Sequence, residues 1–297
     1  MGMNNIRKRL HIKVSKYCNN NCIFCLDDRP KRRNVTIKEV ESLLEQSKGI
    51  KEVLFTCGEP TLHPHLPLFI AMAKKAGFSS IGLVTNGRRL CYPSYCDTLL
   101  RAGLTEITIS IHGSNAKMHE GLTRTKGSFN QTVEGLKNIY ERKSKYEIKL
   151  ITSTVLTKKN VIYISQILEF LSSFDVDTMV LNIVEPSGEA IRNFEKLTPY
   201  YTDISKILSD TLSKFPEKHK VTVEGIPLCF CRNFIECTGI REEIHILEET
   251  FKALPINRFQ VKPETCKECK LYPKCPGIFE YYAQKRGIIE LNPDREM

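Results

Sequence analysis

Cys18-Asn-Asn-Asn-Cys22-Ile-Phe-Cys25 puts three thiols within one short stretch, at the spacing C-x3-C-x2-C. Thiolates are soft ligands, and three on one loop can each hold one iron of a cubane iron–sulfur cluster. The fourth iron is then left without a protein donor. An open position of that kind separates a catalytic metal site from a closed structural one. The competing arrangement is zinc, completed by a nearby His or Asp, although zinc loops more often pair C-x2-C knuckles.

The chain has 12 cysteines in 297 residues, and they are unevenly placed. Three lie between positions 18 and 25 and six between 229 and 275, with none from 97 to 228. Two metal sites follow from that grouping. The basic start, residues 1–10, has no apolar signal core, so a reducing, cytoplasmic setting is expected, with metal ligation rather than disulfides. No apolar run nears the ~20 residues of a membrane span. The formal net charge of +10 attracts acidic partners. The basic residues are dispersed, as a solvated surface would have them, and no nucleic-acid-binding signature appears, so nucleic acid is not the expected partner.

Strand-like and helix-like segments alternate through the first two thirds. Residues 10–15, 53–55, 80–84, 106–111, 148–155 and 178–184 read as strands. Helices are expected at 36–47, 66–76, 95–102, 129–142, 161–172 and 201–212, the first opened by a Thr36/Glu39 capping box. Six βα units imply a parallel sheet, since a parallel crossover needs a helix-length connection. Unusual residues recur where strands end: 18–25, 58–60, 85–87, 112–113 and 186–188. In parallel α/β folds those ends build the active site. After about residue 220, a short strand at 221–224 leads into a Cys- and Pro-rich stretch that buries little core alone and is best held by metal.

The C-x3-C-x2-C loop, with aromatic Phe24 and a preceding strand, resembles the signature of the radical S-adenosylmethionine (radical SAM) superfamily. That resemblance implies a partial (β/α)6 TIM barrel over residues 1–215. It also implies a [4Fe–4S] cluster on Cys18, Cys22 and Cys25 whose free iron chelates S-adenosylmethionine (SAM). Reductive cleavage of SAM would then give a 5′-deoxyadenosyl radical that abstracts hydrogen from a substrate. Thr56-Cys57-Gly58-Glu59-Pro60 resembles the family's GGEP motif, with Cys57 where glycine is usual. Gly58 and Glu59 would hold the SAM amino group, a charge-assisted contact in the case of Glu59. Thr85-Asn86-Gly87 resembles the polar end of the third strand. By the same resemblance Ser110 contacts the ribose or carboxylate, Arg124 binds the carboxylate, and Phe24 lies by the adenine. His112 is a candidate substrate contact.

Cys266-Lys-Glu-Cys269-(five residues)-Cys275 resembles the terminal part of SPASM and twitch domains, which hold auxiliary [4Fe–4S] clusters. Phe279 stands where a further SPASM cysteine would fall, so one auxiliary cluster is implied, in a small twitch-like module over 216–297. Cys229 is the expected fourth ligand, with Cys231 and Cys237 competing. Cys91 and Cys96 read as ordinary thiols, and His63 and His65 as turn-shaping residues. Family analogues offer a peptide side chain, a small molecule such as an aminocyclitol or nucleotide, or RNA as substrate, and an acidic flavodoxin or ferredoxin as electron donor. The rival class is a non-catalytic zinc- or RNA-binding protein with structural cysteine sites.

Overall fold

Seven parallel strands follow one another around a curled half-barrel in a computed structural model that describes residues 7–26, 33–47, 49–239, 243–247, 253–255 and 259–294. They are β1 (Arg7–Lys13), β2 (Glu52–Thr56), β3 (Ser80–Thr85), β4 (Glu106–Ser110), β5 (Lys149–Leu156), β6 (Thr178–Ile183) and β7 (Val221–Glu224). Each pairs with its successor in chain order. β8 (Glu243–Leu247) lies parallel to the free edge of β1, and β9 (Ala253–Pro255) pairs antiparallel with β8. At the opposite edge Thr238 makes an isolated parallel bridge to Val223.

The period-two pattern of the strands decides which residues face where. Leu10, Ile12, Val53, Phe55, Ile81, Leu83, Ile107, Ile109, Met179 and Leu181 are buried in the main core. Burying each such side chain contributes roughly 1.5–3 kcal/mol. A one-residue slip would turn the whole set into the lumen, so the register is strongly specified. The alternate residues, among them Lys13, Thr56, Ser110, Ser153, Asn182 and Glu224, are only partly buried. They form the polar concave side.

At the amino-terminal end of the barrel, buried Arg9 pairs with Glu52 at 3.2 Å and Glu106 at 2.7 Å. A charge so far from water needs such partners. The link ties β1 to β2 and β4, closing the end opposite the cysteine loop.

The first strand starts earlier than its own alternation suggests because β8 pairs with it from Arg7 onward. The capping box at Thr36 is present, opening the helix Ile37–Gln46. A helix not expected from periodicity, Ala116–Thr123, sits between β4 and the helix Ser128–Tyr140. β7 extends the sheet beyond the six expected strands, so pairing in the barrel sheet continues past residue 216.

Residues 259–294 form a short antiparallel pair, Gln260–Val261 with Ile278–Phe279, and the helix Glu280–Arg286. Arg286 fastens this segment to the barrel. Its guanidinium donates to the carbonyls of Thr198 (2.9 Å) and Pro199 (3.1 Å) and pairs with Glu195 at 3.1 Å. The same group lies over the rings of Tyr200 and Phe194, at 4.3 and 4.7 Å. Desolvated cation–π contacts of this kind contribute about 2 kcal/mol.

Candidate functional site

The cysteine loop is held from several sides by the carboxyl ends of the strands. After β3, Asn86 Nδ2 donates to Asn19 Oδ1 at 2.6 Å and to Cys18 Sγ at 3.8 Å. Arg88 donates to the Asn19 carbonyl and, at 3.1 Å, to Asn20 Oδ1, while its Nε reaches Gln131 at 2.7 Å. After β4, the carbonyls of Leu122 and Thr123 accept from Ile23 and Asn21 at 2.9 and 3.0 Å. Arg124 Nε donates to the Asn21 carbonyl at 2.7 Å. After β6, Glu189 N–H donates to the Cys25 carbonyl at 2.8 Å. Gly188 is needed there, since a Cβ would stand 2.5 Å from that carbonyl.

β2 contributes the turn 57–60. Gly58 has φ +59°, and a Cβ on it would lie 2.2 Å from the Ser15 carbonyl oxygen, so no other residue fits. Cys57 is also left-handed, at φ +69°. That explains why glycine suits this position and why a side chain there is strained. Glu59 is fully buried. Oε1 accepts from Thr61 N–H (3.1 Å), Thr61 Oγ1 (2.6 Å) and Thr85 Oγ1 (2.6 Å), and Oε2 accepts from Asn86 N–H at 2.7 Å. Burial pushes its pKa up, against these donors. Glu59 therefore braces the end of β2 against the end of β3, a role that its motif alone does not reveal.

The remaining expected residues divide. Ser110 ends β4 on the concave side, in register with Ser153, which accepts from Asn182 Nδ2 at 3.0 Å. Arg124 is half-exposed and faces Glu189 at 3.5 Å besides gripping the loop. Phe24 is buried edge-on against His112, ring centroids 4.8 Å apart. His112 is itself buried, with Nδ1 accepting from Val155 N–H at 3.2 Å and a pKa driven well down by desolvation. Behind it stacks His119, whose Nδ1 accepts from His112 N–H at 3.1 Å. His63 and His65 shape their turn, with His63 Nε2 on the Val35 carbonyl. Sequence reasoning placed Gly188 in the strand-end segment 186–188 but did not single out Arg88, which carries no periodic or spacing signal.

In the carboxyl-terminal segment, Cys229, Cys266, Cys269 and Cys275 together line one small cavity. Cys275 Sγ accepts backbone N–H bonds from Leu228 (3.3 Å) and Gly277 (3.4 Å), the donors a cluster thiolate needs. Burial first, and the three neighbouring thiols next, push Cys229 up to about 11. A thiol so shifted keeps its proton near neutral pH. Cys231 and Cys237 turn away, donating to the carbonyls of Pro227 and Lys218. Cys96 likewise donates to the Leu90 carbonyl.

Both groups suit iron–sulfur clusters in donor chemistry: thiols gathered on one loop or around one cavity, with N–H groups aimed at sulfur. Among the described residues no three His, Cys, Asp or Glu side chains converge as on a single metal ion. A cubane instead distributes its thiolates, one to each iron. No helix among the described residues is long and apolar enough to cross a membrane.

Known proteins resemble this chain in sequence and in fold. A probable GTP 3′,8-cyclase of Methanopyrus kandleri is 29% identical over 185 residues, covering 61% of this chain and 57% of that protein. One from Sulfolobus acidocaldarius is 29% identical over 218 residues, covering 71% and 67%. The alignment thus spans between about half and two thirds of these curated relatives. Among solved structures, Streptococcus suis SuiB bound to the precursor peptide SuiA superposes with a TM-score of 0.65 at 15% identity, covering 98% of this chain and 75% of SuiB. Native anSMEcpe with bound AdoMet and a peptide gives 0.64 at 16%, covering 93% and 94%. These likenesses are of fold. The sequence profile of the Radical SAM superfamily matches residues 12–171, more than half of the chain, and the protein belongs to that superfamily.

Proposed function

We propose that this protein is a radical SAM enzyme acting on a polar small molecule held at the carboxyl-terminal mouth of the barrel. The observation that carries the reading is the three-cysteine loop fastened at that mouth by Asn86, Arg88 and Arg124. Cys18, Cys22 and Cys25 would hold the cluster. When bound, a [4Fe–4S] cluster with SAM at its open iron supplies one-electron cleavage of the sulfonium and a hydrogen-abstracting radical. The chain supplies position and shelter. Gly58 and the Glu59 brace shape the edge that would meet the SAM amino group, while Ser110 stands at the end of β4 and Arg124 at the carboxyl end of the helix Ala116–Thr123. Phe24, packed on His112, closes the loop's inner side against water. Ser110, Ser153, Asn182, Lys13 and Glu224 offer hydrogen bonds and both signs of charge to a substrate, which favours a polar one.

Cys229, Cys266, Cys269 and Cys275 would hold an auxiliary [4Fe–4S] cluster. The curated relatives named as GTP 3′,8-cyclases make nucleotides the first substrates to assay. The net charge of +10 suits an acidic flavodoxin or ferredoxin as reductant, with turnover that weakens as salt rises.

Anaerobic reconstitution tests the reading. About eight irons per chain are expected from two cubanes, falling to about half in Cys22→Ala and likewise in Cys229→Ala. Dithionite-dependent release of 5′-deoxyadenosine is expected from wild type and not from Cys22→Ala. Reconstituted wild type that releases none sinks the proposal.

A further inference from the structure

Asn86 is placed to do more than brace the loop. Its amide has an unambiguous orientation, because Oδ1 accepts from Arg88 N–H at 3.1 Å while Nδ2 donates to Asn19 Oδ1 at 2.6 Å. A flip would set oxygen against oxygen and donor against donor. The second Nδ2 hydrogen is thereby directed toward Cys18 Sγ, at 3.8 Å. Asn20 N–H approaches the same sulfur at 3.4 Å. The Asn86 backbone is fixed in turn, since its N–H is held by Glu59 Oε2 at 2.7 Å and its carbonyl accepts from Thr132 Oγ1 at 2.8 Å. Every polar group of Asn86 is thus spent on holding one N–H donor against one sulfur.

Hydrogen bonds to cluster sulfurs, local charge and solvent exposure set the reduction potential of an iron–sulfur centre. An N–H dipole aimed at a thiolate stabilises the reduced, more negative state and raises the potential. We propose that Asn86 is a positioning residue that sets the potential of the Cys18/Cys22/Cys25 cluster through its hydrogen bond to Cys18, with Glu59 and Arg88 holding the amide in place. The inference rests on the cluster assignment above and adds to it a tuning residue outside the cysteine motif.

The test is an anaerobic, EPR-monitored redox titration of the reconstituted full chain, following the signal that changes when SAM is added. Asn86→Leu removes the donor at similar volume, and its midpoint is expected to lie below wild type. Asn86→Asp, which keeps the acceptor for Arg88 N–H and sets negative charge by the sulfur, is expected to lie lower still. A readout that does not depend on the midpoints is hyperfine coupling from asparagine labelled with ¹⁵N in the side-chain amide. Coupling to the reduced SAM-responsive cluster is expected, and its loss in Asn86→Leu. Unchanged or higher midpoints in both variants at full iron content, or absent coupling in wild type, overturn the inference and leave the cluster assignment standing. Wild type with no SAM-responsive cluster overturns both.

Discussion

Arg88 reaches from the end of β3 to Asn20, with a guanidinium nitrogen 3.1 Å from Oδ1, and so joins residues 68 positions apart in the chain. The same side chain engages the Asn19 carbonyl and Gln131. Three acceptors in different directions suit the planar fork of arginine and not the single ammonium of lysine. Arg88→Lys should therefore loosen the loop without unfolding the barrel. Iron at the amino-terminal site should be lost several-fold faster to a chelator, while the global unfolding midpoint moves by less than about 1 kcal/mol. Equal retention of iron in wild type and variant would refute the clamp.

The turn 57–60 gives opposite predictions at adjacent positions. Gly58→Ala must move the backbone or collide with the Ser15 carbonyl. It should cost about 3 kcal/mol or more and reduce cluster uptake. Cys57→Gly relieves a left-handed side chain at φ +69°. The gain, offset by the freedom of glycine in the unfolded chain, should be about 0.5–1 kcal/mol. Chemical denaturation of both variants checks the pair.

Acid should weaken the fold through the stacked imidazoles behind Phe24. Burial, then the charge of Arg88, lowers the His119 pKa from 6.5 to about 4, and burial takes His112 well below its ordinary value. A depressed imidazole pKa means that the unfolded chain binds the proton more readily. Stability is thus full above about pH 6.5 and falls as the pH drops toward 4, by at most about 3 kcal/mol for His119. Urea midpoints from pH 7.5 down to 5 should decline in wild type. His119→Gln, which keeps an acceptor for His112 N–H, should flatten that decline. Parallel curves would rule His119 out as its source.

Arg286 predicts a local rather than global weakness. Arg286→Ala removes the Glu195 pair, two carbonyl bonds and the ring contacts together. The segment 259–294 should become sensitive to limited proteolysis while residues 49–215 resist. In the reconstituted protein about four irons should be lost and SAM cleavage kept, because the amino-terminal loop does not touch this segment through Arg286. Protease patterns identical to wild type would contradict the clamp.

Much of the barrel was readable because its signals are local. Strand alternation, the Thr36/Glu39 cap and the cysteine spacings each lie within a few residues, and each has a physical consequence that spacing alone implies. Cys229, Cys266, Cys269 and Cys275 line one cavity, and only folding separates Cys229 from Cys231 two positions away. The buried fate of Glu59 and His112 was not readable, since it depends on donors brought in by other strands. Nor were Arg88 and Arg286, whose partners are tens of residues distant. Glu243–Leu247 did carry a signal, with Ile244 and Ile246 alternating against polar neighbours. It was hidden within a stretch dominated by charge and cysteine.

The placement of Thr238 beside β7 and of Glu243 in β8, the strand just inside the β9 edge, limits how far apart the two ends of the sheet can stand. Thr238 bridges to β7, and Glu243 pairs with Arg7 of β1. Five peptide steps reach about 18 Å at full stretch, fewer than four strand widths of about 4.8 Å. A 100-residue domain has a radius of gyration of about 13 Å and cannot pass such a slit. Whatever reaches the lumen from that side must therefore arrive as an extended chain or a compact metabolite, edge first.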